Sequence, residues 1–493
     1  MIRDTKVAIC KAARDQYPDA PFSPGRNYPE YKFNDISSDG SVYEALRETL
    51  RMLELDISHF DTPDWNPFGE FIRPGDKVVV KPNLVLDFNA TGQTTDCLVT
   101  HASVLRPIID YVLMALRGSG KVLIADSPHG NANFKKIKFV TRLNDLQEFY
   151  QNNGVNLDIL DVRKYEYGHG EDGFLEKRTL VERDPAGYAE IDLGQNSSFV
   201  DLPHLENLYG ADFDRSEVKR YHTKVTNKYL VAKTFLDADV IINVPKLKTH
   251  KKIGTTLNVK SLIGINGDKN YLPHFRIGDP SHGGDEYPPA SGKFHLGRKR
   301  VVRATVEALL GNNNHKHTGL YKIMRSIYGK SHIRVAPASG RRTELGAGNW
   351  YGNDTVYRTV YDLSKILFLA DKNGVMHRSP QRRFFSIIDG IVAGEKQGPL
   401  EPSPKPCGVL VGGFDAIAVD LTATRLMGFN PERMVVFTRL GMLSPDHPLQ
   451  QLRPEDLSIV SNYEPWNGNI FYSNDRYLAL TPHQGWRNYL EIF

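Results

Sequence analysis

Residues Asp239-Val240-Ile241-Ile242-Asn243-Val244 run directly into Pro245-Lys246-Leu247-Lys248-Thr249-His250. A short apolar run of strand length, cut by proline and followed by basic and polar residues, reads as a buried strand that ends in a loop. The pattern recurs. Lys77 to Val80 leads into Lys81-Pro82-Asn83, and Val122 to Ala125 leads into Asp126-Ser127-Pro128. Later, Phe385 to Ile388 meets Asp389-Gly390, and Gly408 to Val411 meets Gly412-Gly413-Phe414-Asp415. Between the Lys77 and Val122 runs, Val104, Ile108, Val112 and Leu116 keep helical spacing until Gly118 and Gly120. Strand, helix, strand is a βαβ unit, which almost always crosses over right-handed between parallel strands. The predicted fold is therefore α/β, a mixed or mostly parallel sheet with flanking helices. In such open sheets ligands bind beyond the carboxyl ends of the strands, so the polar loops are expected to converge on one cleft.

Around these runs the chain divides into five stretches. Residues 1–74 form an N-terminal extension with Pro18, Pro21, Pro24 and Pro29 and a helix from Ser41, where Ser41 and Glu44 have capping-box spacing. Residues 75–267 make the first part of the core. Residues 268–354 form an irregular basic insertion or lid with one expected helix, Val301 to Leu310. Residues 355–435 make the second part of the core, opened by a helix with Val356, Val360, Leu363 and Leu367 on one face. Residues 436–493 are a C-terminal extension in which Trp466 and Trp486 point to packing.

Composition narrows the function. With 493 residues, 40% hydrophobic and 24% charged, the chain can bury a core and is not of the disordered class. Its 62 Lys+Arg against 58 Asp+Glu leave a net +4, too thin a surplus to imply nucleic acid or a membrane surface as a partner. Three scattered cysteines, Cys10, Cys97 and Cys407, support neither a disulfide framework nor an iron–sulfur cluster, and fit a reducing cytoplasmic compartment. No signal-peptide pattern and no apolar run of spanning length is present, so no membrane insertion is expected. No P-loop or GxSxG pattern occurs and no GxGxxG is placed between a strand and a helix, so no nucleotide-cofactor motif is found.

The chemistry-bearing residues follow the strand ends. Lys246, Lys248 and His250 leave the Asp239 run together, and isolated charges beside a buried strand need a partner. A phosphate or carboxylate ligand would satisfy Lys246 and Lys248, with Asn243, Asn258, Lys260 and Ser261 as further donors; a solvated basic loop is the alternative. Lys81 is expected as a phosphate clamp or base, with Asn83 beside it and His101 as an acid–base group or a helix cap. Asp126, with Ser127 beside it, is either a metal-binding or general-base carboxylate or part of a simple strand-end turn. Asp389, Glu395 and Asp415 are candidate ligands for Mg²⁺ or Mn²⁺, with Gly390, Gly394 and Gly398 making a loop around Glu395; Asp415 and Asp420 are alternatively parts of a helix near Ala416. The basic insertion, from His295 and Arg298 to Arg341 and Arg342, reads as a lid over an anion, since no groove-reading or base-stacking pattern accompanies it.

The ordered motifs VKPN (Val80 to Asn83), Thr100-His101, DSP (Asp126 to Pro128), DVIINVPKLKTH (Asp239 to His250), NVKSLIG (Asn258 to Gly264), DGI (Asp389 to Ile391), GExxGP (Gly394 to Pro399) and GGFDAIAVD with ATRLMGF (Gly412 to Phe429) resemble the domain of unknown function 362 family. Gly348 to Thr355 is similar to the longer members, which the resemblance links to bacterial surface-polysaccharide genes. Members with an added ferredoxin-like domain differ from this chain in their cysteines. The expected function is an enzyme acting on a small phosphorylated or carboxylated metabolite by metal-assisted group transfer or hydrolysis. Two other readings stand beside it: a Lys/His acid–base isomerase or racemase, and a non-catalytic protein that binds a polyanion or a partner.

Overall fold

The computed structural model describes residues 4–169, 175–210, 216–289, 345–468 and 470–492. The helix expected at Val301 to Leu310 and most of the basic insertion lie outside the described residues. Ten strands share one sheet: β1 (Lys6–Lys11), β2 (Lys77–Pro82), β3 (Lys121–Asp126), β4 (Asp158–Asp161), β5 (Val240–Val244), β6 (Lys246–His250), β7 (Gly254–Thr256), β8 (Arg383–Gln397), β9 (Glu401–Gly413) and β10 (Ser458–Ser461). The order along the sheet is β10-β1-β9-β8-β5-β2-β3-β4, with β6 paired to β8 and β7. Only β9 runs against its neighbours on that path. The mostly parallel α/β sheet expected from the apolar runs is thus present, and β2, helix α2 (Ala102–Leu116) and β3 form the expected βαβ unit.

The central strands are buried on both faces, as continuous Val/Ile runs require in a parallel sheet covered by helices. One core lies under helix α1 (Ser41–Met52) and α2, and holds Leu46, Leu50, Val80, Ile108, Val112 and Ile242. The other lies under helices α4 (Val356–Leu369) and α5 (Ala416–Leu426), with Val360, Leu363, Ile241, Ile388 and Val411. Helix α3 (Asn258–Ser261) is a single turn that packs against α4 and α5. Beneath α2 the chain also buries arginines. Arg106 bonds Asp110 at 3.0 Å and reaches Asp35 at 3.4 Å, while Arg47 bonds Glu30 at 2.7 Å and Asp61 at 3.0 Å.

Four sequence expectations change. The segment Lys246–His250 is strand β6, fully buried, not a solvated loop. The Glu395 region is not a flexible loop either, because β8 continues through it and pairs Glu395 with Ser403 of β9. Its glycines serve close packing: a Cβ on Gly394 would stand 2.8 Å from the Lys248 Cβ, and one on Gly390 would stand 2.9 Å from Leu247. Helix α1 starts at Ser41, but its N-cap is Gly40, and Asp39 accepts the Ser41 amide at 3.0 Å in place of a serine cap. Finally, the N- and C-terminal extensions, divided from the core in the sequence, contribute β1 and β10 to one edge of the same sheet.

Candidate functional site: a lysine cluster at the strand ends

Adjacent parallel strands bring their carboxyl ends to one place. In register, Asn243 of β5 lies beside Lys81 of β2, and Val80 lies beside Ile124, two residues before Asp126. Strand β6 turns off at Pro245, and the two-residue period of a strand puts Lys246, Lys248 and His250 on one of its faces. Thr256 stands opposite Lys248 in the β6–β7 ladder and so shares that face. Helix α3 follows and carries Lys260.

Two of these lysines have carboxylate partners. Lys81, fully buried, donates to Asp126 at 2.9 Å, and the other Asp126 oxygen accepts the Leu84 amide at 2.7 Å. Gly264 lies over this pair, where a Cβ would fall 2.0 Å from the Asp126 carboxylate, so the segment after α3 closes directly on the ion pair. Lys246 donates to Asp389 at 3.1 Å. Asp389 also accepts the Tyr17 hydroxyl at 2.6 Å and the His101 amide at 3.1 Å, and Tyr17 contacts the Lys246 ammonium as well. Burial, followed by the Asp389 charge, holds the Tyr17 phenol well above its ordinary range, so it remains a donor to that carboxylate.

The other two lysines have none. Lys248 is fully buried and donates only to the Leu98 and Pro399 carbonyls, at 2.5 and 3.3 Å. Burial, with the charges of Lys246 and Lys260 adding to it, pushes this ammonium down to about 7. Lys260 is partly open to solvent and has no hydrogen bond or ion pair among the described residues. Partial desolvation by the surrounding protein, with the charges of Lys269 and Lys81, likewise brings it down to about 7. The Asn83 side-chain amide oxygen and the Thr256 hydroxyl are buried without a partner among the described residues. Buried polar atoms without partners are rare in native proteins, and in a crevice they mark where a ligand or water belongs.

The remaining predicted site residues build the walls. Asn243 donates to the Asn258 side chain at 3.0 Å and accepts from Ser261 at 2.8 Å. Asn258 and Val259 offer their amides to Asp420 at 2.8 and 3.0 Å, which fixes the start of α3 and hence the position of Lys260. Burial raises Asp420 to about 7. Ser127 receives Lys269 on its hydroxyl at 3.1 Å. His101 caps α2, accepting the Ser103 amide at 3.2 Å, and stacks on Tyr17 with ring centroids 4.1 Å apart. Burial first, then Lys246, pushes its imidazole down to about 3. His250 accepts the Lys252 amide at 3.0 Å, and burial together with nearby lysines holds it well below the ordinary histidine range. Both imidazoles are therefore neutral at physiological pH.

The three carboxylates expected to share a cation do not meet. Glu395 pairs with Ser403, whereas Gly413, two residues before Asp415, pairs with Ser386; at about 3.3 Å per residue this separates Glu395 and Asp415 by about 30 Å. Asp389 lies opposite Leu410, on the order of 15 Å from Asp415 on the same spacing. Oxygen ligands of Mg²⁺ must lie at about 2.0–2.1 Å, so no single ion can hold this set. Each carboxylate has a local role: Asp389 on Lys246, Asp415 capping α5 through the Ile417 and Ala418 amides, and Glu395 accepting the Thr481 amide at 2.9 Å. Among the described residues no cluster of three His, Cys, Asp or Glu side chains is arranged to hold a metal.

Sequence reasoning did not single out Tyr17, Thr256, Lys269 or Gly264. Thr256 stood in plain view within the cluster that follows His250, and Gly264 ended the NVKSLIG motif. Nothing local marks Tyr17, whose partner is 372 residues away.

The chain is 26% identical over 225 residues to a thylakoid-associated protein of Synechocystis sp., and the match spans 46% of this chain and 46% of that relative, so less than half of either. A crystal structure of a Thermotoga maritima protein aligns over 77% of this chain and 58% of its own, at 12% identity and a TM-score of 0.30. Among the described residues no helix is long and apolar enough to cross a membrane. The profile of the domain of unknown function 362 matches residues 78–182 and 191–425, which include Lys81, Asp126, Asp389 and all of β5, β6 and α3, and the chain belongs to that family.

Proposed function

We propose that this protein is a cytoplasmic enzyme that binds a small phosphorylated or carboxylated metabolite between the ends of β2, β3 and β5 and helix α3. The observation that carries this reading is the imbalance of the crevice. Lys81 and Lys246 are matched by Asp126 and Asp389, whereas Lys248 and Lys260 have no carboxylate among the described residues. Leaving charge uncompensated in a poorly hydrated place costs several kcal/mol, and an anionic ligand removes that cost. Arginine-like structural neutralisation has not been built here, so the missing charge is assigned to the substrate.

Between the two enzymatic readings, proton transfer beside a carboxylate or phosphoryl group is favoured. Two lysines that hold their protons loosely near neutrality can give and take them at the pH of the cell, the property general acid–base catalysis needs. Metal-assisted transfer would need a ligand set other than Asp389, Glu395 and Asp415. Three cysteines without a disulfide agree with a reducing compartment.

Thermal unfolding in the presence of inorganic phosphate and of small carboxylates tests the proposal, because a ligand that binds only the native state raises its stability. Stabilisation that disappears in Lys248→Ala and Lys260→Ala is expected. No response to any small anion, with salt-sensitive binding to heparin instead, would replace the enzyme by a polyanion-binding protein.

A further inference from the structure

Lys260 differs from every other lysine around the crevice. Lys81 and Lys246 are held by carboxylates, Lys248 by two carbonyls, and Lys269 by the Ser127 carbonyl and hydroxyl. Lys260 alone among them has no bonded partner among the described residues, and it is also partly open to solvent. Its backbone is nevertheless firmly placed, because Asp420 clamps the two residues before it. A fixed stem, a free amine and a positively charged rim are the arrangement of a nucleophilic lysine, since neighbouring cations favour the neutral amine that attacks.

Resting on the anion-binding reading above, we propose that Lys260 forms an imine with a substrate that carries a carbonyl group next to a carboxylate or phosphate. The Nζ lone pair attacks the carbonyl carbon, forming the C–N bond while the C=O π pair moves to oxygen. The C–O bond then breaks, and the oxygen leaves as water with the two protons of the neutral amine, so nothing is oxidised or reduced. The rim selects the substrate class. Taking up a proton from solvent makes the imine a cation, and Lys248 and Lys269 would oppose it unless the substrate brings its own negative charge. A 2-oxo acid or a phosphorylated aldehyde does so; a neutral ketone does not. The Thr256 hydroxyl, without a partner among the described residues, can donate to the departing oxygen, and the Asn83 side-chain amide oxygen can accept an N–H or O–H of the adduct.

The full chain is incubated at neutral pH with sodium cyanoborohydride and, separately, with pyruvate, glyceraldehyde 3-phosphate or acetone, and the reduced adducts are mapped by peptide mass spectrometry. The expected result is a dominant adduct on Lys260 with either charged carbonyl, suppressed by inorganic phosphate, absent in Lys260→Arg and not formed with acetone. Labelling spread over exposed lysines such as Lys135 and Lys136, with no preference for Lys260, overturns the imine. So does the absence of an adduct when phosphate still stabilises the protein, and in that case the anion site stands. If phosphate and pyruvate neither stabilise nor label, both readings fall. Should Lys260→Arg fail to fold, the site of labelling and its competition by phosphate in the unaltered protein decide the matter.

Discussion

Two of the places where the chain buries cations treat them differently. Under α2, each arginine is matched: Arg106 sits between Asp110 and Asp35, lies 3.5 Å over the Phe149 ring and bonds the Pro21 carbonyl, while Arg47 spans Glu30 and Asp61. The planar guanidinium suits such fixed, many-sided bonding. At the strand ends the cations are lysines, compact and able to lose a proton, and half of the four that line the face are left without a carboxylate. The first region is complete within the protein. The second is not completed by carboxylates among the described residues, and the proposed ligand would supply the missing charge.

The comparison breaks most visibly on the arginine side. Asp110→Asn removes the carboxylate opposite Arg106 and should cost about 3–5 kcal/mol in denaturant unfolding, the range for stripping one partner from a buried pair. A loss below about 1 kcal/mol would mean that the arginine network is no better matched than the lysine cluster. On the lysine side the sign inverts. Lys260→Met should stabilise the ligand-free protein at pH 6 by about 1–3 kcal/mol, the range for relieving a poorly solvated polar group, while weakening phosphate binding at least tenfold by calorimetry.

The pH dependence sharpens the same contrast. Lys248 and Lys260 fall from 10.5 in the unfolded chain to about 7 in the native state, so the unfolded chain binds more protons between those values. Their unfavourable contribution is fully present below about pH 7 and shrinks as the pH rises toward 10.5. Anion affinity should follow the opposite course, falling by up to about tenfold per pH unit for each lysine above pH 7–8. Calorimetry at pH 8 in buffers of different ionisation enthalpy should show proton uptake on binding. The smallest effect is expected at Glu395. Burial works to raise this carboxyl, but the Thr481 amide and Lys396 bring it below the ordinary range, and Lys396 is largely exposed. Glu395→Gln should therefore change stability by less than about 1 kcal/mol and leave the response to phosphate intact.

Much of this site is legible in the sequence because strand ends are. Apolar runs that stop at Lys81, Asp126 and Asn243 place those residues at one edge of a parallel sheet whatever the details of packing. The charge balance among them is less accessible, since it depends on register. Asp389 meets Lys246 because β6 pairs with β8, and Tyr17 joins them from an extension with no periodicity of its own. Gly390 and Gly394 show how one signal supports two readings. Glycine in a polar stretch suggests a loop, and glycine in a strand marks close approach of another backbone; only the neighbouring β6 decides between them. His101 and Asp415 likewise have local capping roles that their sequence context already offered as alternatives.

The position of β1 gives the site a history in time. Val7 aligns with Gly413 and Lys6 with Ser458, so the first strand has no place in the sheet until almost the whole chain has been synthesised. At about 5–20 residues per second, the interval between Lys11 and Glu401 leaving the peptidyl-transferase centre is roughly 20–80 s. Tyr17, six residues beyond β1, waits equally long for Asp389. Lys246 is made only halfway through synthesis and Asp389 later still, so the Tyr17–Asp389–Lys246 contact is among the last parts of the site to be finished on the ribosome.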